Sequence, residues 1–499
     1  MDIMSVENCR NMDLDAIEKF KIPSIILMEN AAEAISREII NHGNSYSIIC
    51  GTGNNGGDGL AIGRKLLLLN KKVTFIIVNP KEKYSDDFKV NFEIVKSMSK
   101  DIVYLKDTKD LEDIKLIIDK NDVIIDCLFG IGLNRSLDKF YCDIIDSINS
   151  SNKIIIAIDV PSGLDGNTGE PLGKSIKASY TYTFESLKRG FINYSAFEYL
   201  GKVKVIPIGI PSEAKVKNSS NIFILEKDKY KDMIKDRTVY GHKGDYGRAI
   251  IFAGSFGFTG AAYITTEACV KSGAGLVTLV TTKECQKILG SKLVEAMTTN
   301  YGEKEKILEL IKSANVITFG PGISSSKEIE EIFLWIIENS KANIVVDAEG
   351  INILGRRSDI LKALKGRGIL TPHPGEMARL ISKSVDYIEK DRVEVAREFA
   401  KVNDCILLLK GFNTIITDGN EVVVNTSGNS KMASGGMGDC LTGIITAFIS
   451  QGYESFEATK LAAYVHGVTG EIVGKNKFSV VASDIIDNIS NNINTIRMS

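Results

Sequence analysis

Short, unbroken apolar runs rich in Ile and Val alternate with stretches of helical periodicity along almost the whole chain. A strand with one wet face alternates apolar and polar residues, but these runs are apolar at consecutive positions, so both faces must be covered. Strands of that kind, separated by helices, restrict the fold to layered α/β architecture built on parallel sheets. In the first half the predicted strands are 46–50, 73–78, 123–126, 153–159, 180–184 and 203–208. A helix over 22–40 precedes them, with Pro23 tolerated at its start. The alternation resumes at 248–253, 276–281, 316–319, 344–347, 368–370 and 405–409. A hairpin of 414–417 and 422–425 then turns at Asp418-Gly419-Asn420, and a helix runs from 455 to about 473.

Between the halves, 211–238 is polar and Lys-rich, the composition of a surface linker with a short helix. A chain of 499 residues exceeds one hydrophobic core. Two domains are expected, 1–215 and 225–499. The formal net charge of −2 argues against nucleic acid as the main partner. Eight scattered cysteines form neither a C-x-x-C pair nor a zinc spacing, which suits reduced thiols. No apolar run approaches the ~18 residues of a membrane span, and the start, with Asp2 and Glu7, lacks a basic-then-apolar leader. The expectation is a cytoplasmic protein with no membrane partner.

In parallel sheets ligands collect beyond the carboxyl ends of the strands, and these ends carry polar residues. The first strand runs into Gly51-Thr52-Gly53-Asn54-Asn55-Gly56-Gly57-Asp58-Gly59, a formal G-x-G-x-x-G loop. A nicotinamide dehydrogenase needs an acid at the end of its second strand, yet no acid follows Val78 until Glu82. The amides of this loop suit a phosphate, and its side-chain oxygens suit a hard cation; a purely structural glycine turn is the alternative. Two further strands deliver Asp126 and Asp159 ahead of the glycine turns Gly130-Ile131-Gly132 and Pro161-Ser162-Gly163. Such carboxylates can share a cation, divide cation binding from acid–base work, or simply cap a turn.

The second half repeats the pattern. Gly320-Pro321-Gly322, Asp347-Ala348-Glu349, Thr371-Pro372-His373-Pro374-Gly375-Glu376 and Lys410-Gly411 each follow a predicted strand. His373, braced by two prolines, is either a specific hydrogen-bonding group or an ordinary surface side chain. Near the end, Ala433-Ser434-Gly435-Gly436-Met437-Gly438-Asp439 opens a helix whose Leu441, Ile444, Ile445 and Phe448 fall on one stripe. A glycine-rich helix start suits a phosphate. Asp439 beside it is either a helix cap or a base for an attacking hydroxyl. The sequence contains neither a P-loop motif nor H-E-x-x-H.

Taken together, the first-half loops, with Leu27-Met28-Glu29-Asn30-Ala31 and Lys188, resemble the epimerase domain of the NAD(P)H-hydrate repair enzymes. The resemblance implies a Rossmann-like parallel sheet. It places the hydrated nucleotide on Asn54, Asn55, Gly56, Gly57 and Asp58, on Gly130, Ile131, Gly132, Leu133, Asn134, Arg135 and Ser136, and on Asp159. It implies a potassium ion on Asn55, Asp126 and Ser162, with Asp159 and Lys188 as acid–base candidates. Ser179 stands where that family has Asp, and Glu185 where a small residue is common.

The second half, through His242-Lys243-Gly244 and the motifs above, looks like a ribokinase-like domain of the ADP-dependent NAD(P)H-hydrate dehydratase family. That resemblance implies substrate contacts at Ala261, Gly322, His373 and Asp439. Adenine nucleotide would meet Lys410, Gly411, Phe412, Asn413, Thr414 and Gly438. Asp439 would be the catalytic base, with ADP or ATP as phosphoryl donor and Mg²⁺ on its phosphates. A homo-oligomer is the expected assembly. The rival enzyme is a small-molecule kinase of the same fold that keeps its phosphate ester; the rival for the first half is a dinucleotide-binding module without catalysis.

Overall fold

The computed structural model describes residues 1–80 and 84–498, so Glu82 lies outside the described residues. The chain divides into two compact units, Met1–Ser220 and Asn221–Ser499.

In the main sheet of the first unit the strands are β1 (Ser45–Cys50), β2 (Lys72–Val78), β3 (Ile102–Leu105), β4 (Val123–Cys127), β5 (Ile154–Ile158), β6 (Tyr180–Phe184) and β7 (Lys202–Ile206), beside a separate two-stranded pair of Ile3–Met4 with Leu187–Lys188. They form one parallel sheet in the order β3-β2-β1-β4-β5-β6-β7. Successive side chains enter different cores. Ile48, Ile125 and Ile156 pack with the helices Ser24–Ile39 and Asn54–Leu68, while Ile49, Ile124 and Ile155 pack with Leu111–Lys120 and Lys139–Asn149. Burial on both faces is why these strands read as continuous apolar runs. The strand order reverses between β1 and β4, which opens a crevice beyond their carboxyl ends.

Local structure departs from the sequence reading in three places here. Pro23 is the residue capping the helix Ser24–Ile39, which begins one residue later. Of the glycine run after β1, only residues 51–53 form a connection; from Asn54 on, Gly56, Gly57 and Gly59 lie within helix Asn54–Leu68. Its glycines serve close packing: a Cβ on Gly59 would stand 2.8 Å from Cys127, and one on Gly63 would stand 2.2 Å from Phe75. The third departure is strand β3, a short edge strand absent from the sequence reading.

The second unit holds ten strands: β8 (Ile222–Phe223), β9 (Arg248–Phe252), β10 (Leu276–Thr281), β11 (Met297–Asn300), β12 (Val316–Phe319), β13 (Asn343–Val346), β14 (Gly368–Leu370), β15 (Ile406–Leu409), β16 (Thr414–Thr417) and β17 (Val422–Asn425). Their order is β8-β17-β16-β15-β14-β13-β12-β9-β10-β11. Only β16 runs antiparallel to its neighbours, as the hairpin turn requires. The segment expected as a linker is partly core: Ile222 pairs in β8, and Tyr230 is buried with its ring 3.8 Å from that of Tyr464.

Helix Met437–Ser450 is buried all round from Cys440 to Ser450, wider than the single stripe expected. Gly443 lets helix Thr259–Lys271 come so close that a Cβ there would stand 2.3 Å from the Thr265 carbonyl oxygen. All eight cysteines are free. Among the described residues no helix is long and apolar enough to cross a membrane.

Candidate active sites

A cavity of about 530 Å³ occupies the crevice of the first unit. Asn54, Asn55, Gly56 and Asp58 line it from the first turn of the helix after β1. The first bond of that turn is Gly57 N–H to Gly53 O, so the amides ahead of it are open to an anion. Gly130, Ile131, Gly132, Leu133, Asn134 and Arg135 line the cavity from the turn after β4, and Asp159 lines it from the end of β5. Two expected contacts fall elsewhere. Gly57 packs beneath Met28, where a Cβ would stand 2.8 Å from its methyl carbon, and exposed Ser136 lies outside the lining.

Asp159 adopts φ of 65°, a left-handed conformation that Asp tolerates better than most residues. Its Oδ1 stands 2.9 Å from Lys188 Nζ, and its Oδ2 accepts from the Ile131 amide at 3.4 Å. Lys188 lies behind Asp159, almost wholly buried, and also donates to Thr183 Oγ1 and the Phe184 carbonyl. Burial opposes its charge, yet the Asp159 carboxylate holds the ammonium above its ordinary range. Lys188 therefore reaches the cavity through its partner.

Asp126, fully buried in β4, accepts from Ser162 N at 2.8 Å, Ser162 Oγ at 2.6 Å and Leu128 N at 3.3 Å. Burial pushes its carboxyl up to about 6, the Ser162 bonds holding it back. Asn55 Oδ1 and Nδ2 are buried without a hydrogen-bond partner. Such a pair of orphaned atoms costs free energy unless something fills the space beside it. An unpaired amide oxygen suits a hard, oxygen-seeking cation, and Asn55 and Asp159 both lie against Gly130. Among the described residues no group of three His, Cys, Asp or Glu could hold a transition metal.

The two residues out of pattern are built into the frame. The Ser179 hydroxyl accepts from the Ile155 amide. The Glu185 carboxylate accepts from the amides of Ile208, Gly209 and Ile210 and pairs with Lys215. Neither lines the cavity. Arg10 and Asp13, from helix Val6–Glu18, do line it, and no motif pointed to them.

In the second unit the polar strand ends converge as the sheet order brings them together. The Gly254 amide donates to the Pro321 carbonyl, joining the turns after β9 and β12. Ala261 and Gly322 touch, since a Cβ on Gly322 would stand 2.8 Å from that of Ala261. Lys410, just past β15, donates to Asp347 Oδ1 at 2.7 Å, with Glu376 Oε2 at 3.8 Å. Thr442 donates to the other oxygen of Asp347 at 2.8 Å. Burial opposes a charge on Asp347, but Lys410 and the bonds from Lys410 and Thr442 hold its carboxyl below the usual range.

Gly436, at φ of 87°, caps helix Met437–Ser450, so Asp439 lies inside the first turn and is not the cap. The first bond of that turn is Cys440 N–H to Gly436 O, which leaves the amides of 437–439 open. Burial and the charge of Asp347, with Glu376 adding and Lys410 opposing, push the Asp439 carboxyl up to about 6. A Cβ on Gly438 would stand 3.4 Å from Lys410 Nζ, which ties the glycine turn to the same charge cluster.

His373 caps helix Pro374–Leu380: its Nδ1 accepts from the Gly375 amide at 3.0 Å, and its own amide donates to Glu376 at 2.8 Å. The half-exposed ring is kept neutral by partial burial and by the charges of Lys410 and Arg379. Gly411, Phe412, Asn413 and Thr414 follow Lys410 as a turn into β16. Buried Arg392 holds this turn, donating to the carbonyls of Leu409, Lys410 and Phe412. Sequence reasoning noted Asp347 and Glu376 only as strand-end residues and passed over Thr442 and Arg392; for the last two no local pattern exists.

Comparison with known proteins covers both units. The family described as YjeF-related protein N-terminus matches residues 24–190, and the family described as NAD(P)H-hydrate dehydratase matches 249–491. The bifunctional NAD(P)H-hydrate repair enzyme of Moorella thermoacetica is 33% identical over 98% of this chain and 96% of its own length. Its counterpart in Thermofilum pendens is 33% identical over 96% of this chain and 93% of its own. Among solved structures, a ribokinase-like superfamily protein from Enterococcus faecalis covers 56% of this chain and 98% of its own, with a TM-score of 0.53 at 25% identity.

Proposed function

Since the chain belongs to the bifunctional NAD(P)H-hydrate repair family, we propose a division of labour between its units. The first, read as 1–215, interconverts the R and S hydrates of NADH and NADPH. The second, read as 225–499, dehydrates the S hydrate, converting ADP to AMP and phosphate. A stereospecific dehydratase can use one epimer, so an epimerase on the same chain lets both be salvaged.

One observation carries the second activity: Asp439 sits in a first helical turn with open amides, beside the Asp347–Lys410–Glu376 cluster. A carboxyl near 6 is largely ionised at neutral pH yet basic enough to take a proton from the substrate hydroxyl. The oxygen then attacks the terminal phosphorus of the nucleotide, while the amides of the Gly435–Gly438 turn stabilise the charge spreading over the phosphoryl oxygens. Hydroxide is a poor leaving group; phosphate is a good one. It departs as the ring-nitrogen lone pair pushes in, a ring proton is lost, and the dihydronicotinamide is restored. Ala261, Gly322 and His373 hold the hydrated ring, and the Lys410–Thr414 turn with Gly438 holds the nucleotide. Mg²⁺, when bound, neutralises phosphate charge.

In the first unit, Asn55, Asp126 and Ser162 hold potassium, with the unpaired Asn55 oxygen as the main vacancy for it. The cation supplies positive charge beside the substrate phosphates. The free, mostly buried thiols suit a reducing, cytoplasmic setting, and a homo-oligomer remains part of the reading. Incubating the protein with hydrated NADH and ADP tests the whole. Return of dihydronicotinamide absorbance with one phosphate released per turnover is expected. A stable phosphate ester would instead identify a small-molecule kinase.

A further inference from the structure

The first-unit cavity contains an acidic side chain that the expected site does not include. Asp13 lines it from helix Val6–Glu18, together with Asp159 from the end of β5. Two contacts fix that helix against the site. Arg10, one turn before Asp13, donates to the Ile131 carbonyl at 2.8 Å. The strand Ile3–Met4 leading into the helix pairs in parallel with Leu187–Lys188, placing Met4 beside the buried lysine. The position of Asp13 relative to Asp159 is therefore set by the fold.

Inversion by loss and return of water at the hydroxyl-bearing carbon calls for proton transfer on both faces of the ring, a task suited to two carboxyls. On this route the hydroxyl leaves one face of the ring and oxygen returns to the other. Departure needs a proton donor, and return needs a proton acceptor. Asp159, held to Lys188 at 2.9 Å, is placed to serve as the acceptor. Burial, then the Asp159 charge, push the Asp13 carboxyl up to about 7, with Lys188 opposing and Glu185 adding. Asp58 and Cys9 are the other ionisable groups near it.

We propose that Asp13 is the second acid–base residue of the epimerase site, protonating the hydroxyl that leaves one face while Asp159 deprotonates the water that adds to the other. The C–O bond breaks as the ring-nitrogen lone pair closes a C=N⁺ bond, and the Asp13 proton leaves with the oxygen as water. A second water forms the new C–O bond on the opposite face, the C=N⁺ electron pair returns to nitrogen, and the surplus proton passes to Asp159. Solvent exchange returns both carboxyls to their starting states. In the reverse direction the two residues exchange roles. This assignment rests on the epimerase reading of the unit.

The test follows interconversion of separated epimers by the full chain in ¹⁸O-water, without nucleotide. Wild type should invert with one solvent oxygen incorporated per event. Asp13→Asn, nearly isosteric, should lose at least ~100-fold in kcat, the scale of general acid catalysis, with KM little changed. The fall of wild-type rate above neutral pH should flatten in that variant, and Asp13→Glu should regain part of the rate. Inversion without ¹⁸O uptake, or Asp13→Asn matching wild type in rate and pH profile, overturns the proposal. A wild type that does not interconvert the epimers overturns the epimerase reading itself.

Discussion

Lys188 Nζ and Asp159 Oδ1 stand 2.9 Å apart with both side chains almost wholly buried, the lysine facing the core and the aspartate facing the cavity. The pair turns a carboxylate outward while its counter-charge stays hidden from substrate. Removing one partner leaves the other buried and unpaired, which typically costs about 3–5 kcal/mol. Lys188→Met should therefore lower the unfolding free energy of the first unit by that order in denaturant titration. The double variant Lys188→Met with Asp159→Asn should recover much of the loss while remaining inactive as an epimerase. Equal stability of Lys188→Met and wild type would mean that water already reaches the pair.

Asp439 gives a pH signature with a definite sign. A base must be deprotonated to act, so dehydration should fall as pH drops through about 6. Glu376→Gln removes a neighbouring negative charge, which favours the Asp439 carboxylate and moves the acidic limb to lower pH. Lys410→Met removes the opposing positive charge and moves it higher. Asp439→Asn should abolish turnover, by at least ~100-fold, with substrate binding retained in calorimetry. An acidic limb unmoved by either neighbour would assign the titration to another group.

The proposed potassium site has a readout independent of catalysis. A ligand that binds only the folded state stabilises it by RT ln(1 + L/Kd), L being its free concentration, and so raises the melting temperature as that concentration rises. The first unit should melt higher in potassium chloride than in tetramethylammonium chloride at equal ionic strength. Asn55→Ala, lacking the unpaired oxygen, should remove the difference. The same shift in wild type and variant would reduce the effect to general salt.

These residues differ in how visible they were from the sequence. Strands buried on both faces, such as β4 with Ile124 and Ile125 entering opposite cores, announce themselves as apolar runs. The strands β3, β11 and β8 do not: Met297–Asn300 is mostly polar, while Ile102–Leu105 and Ile222–Phe223 are apolar but too short to be told from helix or loop. Asp347 and Glu376 were visible as strand-end residues, but their convergence on Lys410 depends on strand order, which one sequence does not display. The sequence leaves Asp439 as either cap or base; Gly436 takes the cap by adopting a left-handed φ that local composition alone does not specify. Asp13 lies on an ordinary amphipathic helix with no motif around it. The pairing of Ile3–Met4 with Leu187–Lys188 and the bond from Arg10 to the Ile131 carbonyl bring that helix to the cavity, and neither is readable from one sequence.

The division into two chemistries can be tested by cutting the chain. Each unit has its own sheet, with no strand shared, and its own buried cores. Each also carries its own open helix start and its own Lys–Asp pair with a buried carboxylate, Lys188–Asp159 in one and Lys410–Asp347 in the other. A protein expressed over 1–220 should therefore equilibrate the two hydrate epimers without nucleotide. One expressed over 221–499 should consume a single epimer in the presence of ADP, stop when half of an epimeric mixture remains, and resume when the first piece is added. The spontaneous epimerisation rate sets the background, so the pause must be read at short times. Consumption of both epimers at equal rates by the second piece alone would show that the dehydratase site accepts either face, and the fusion would then need another explanation.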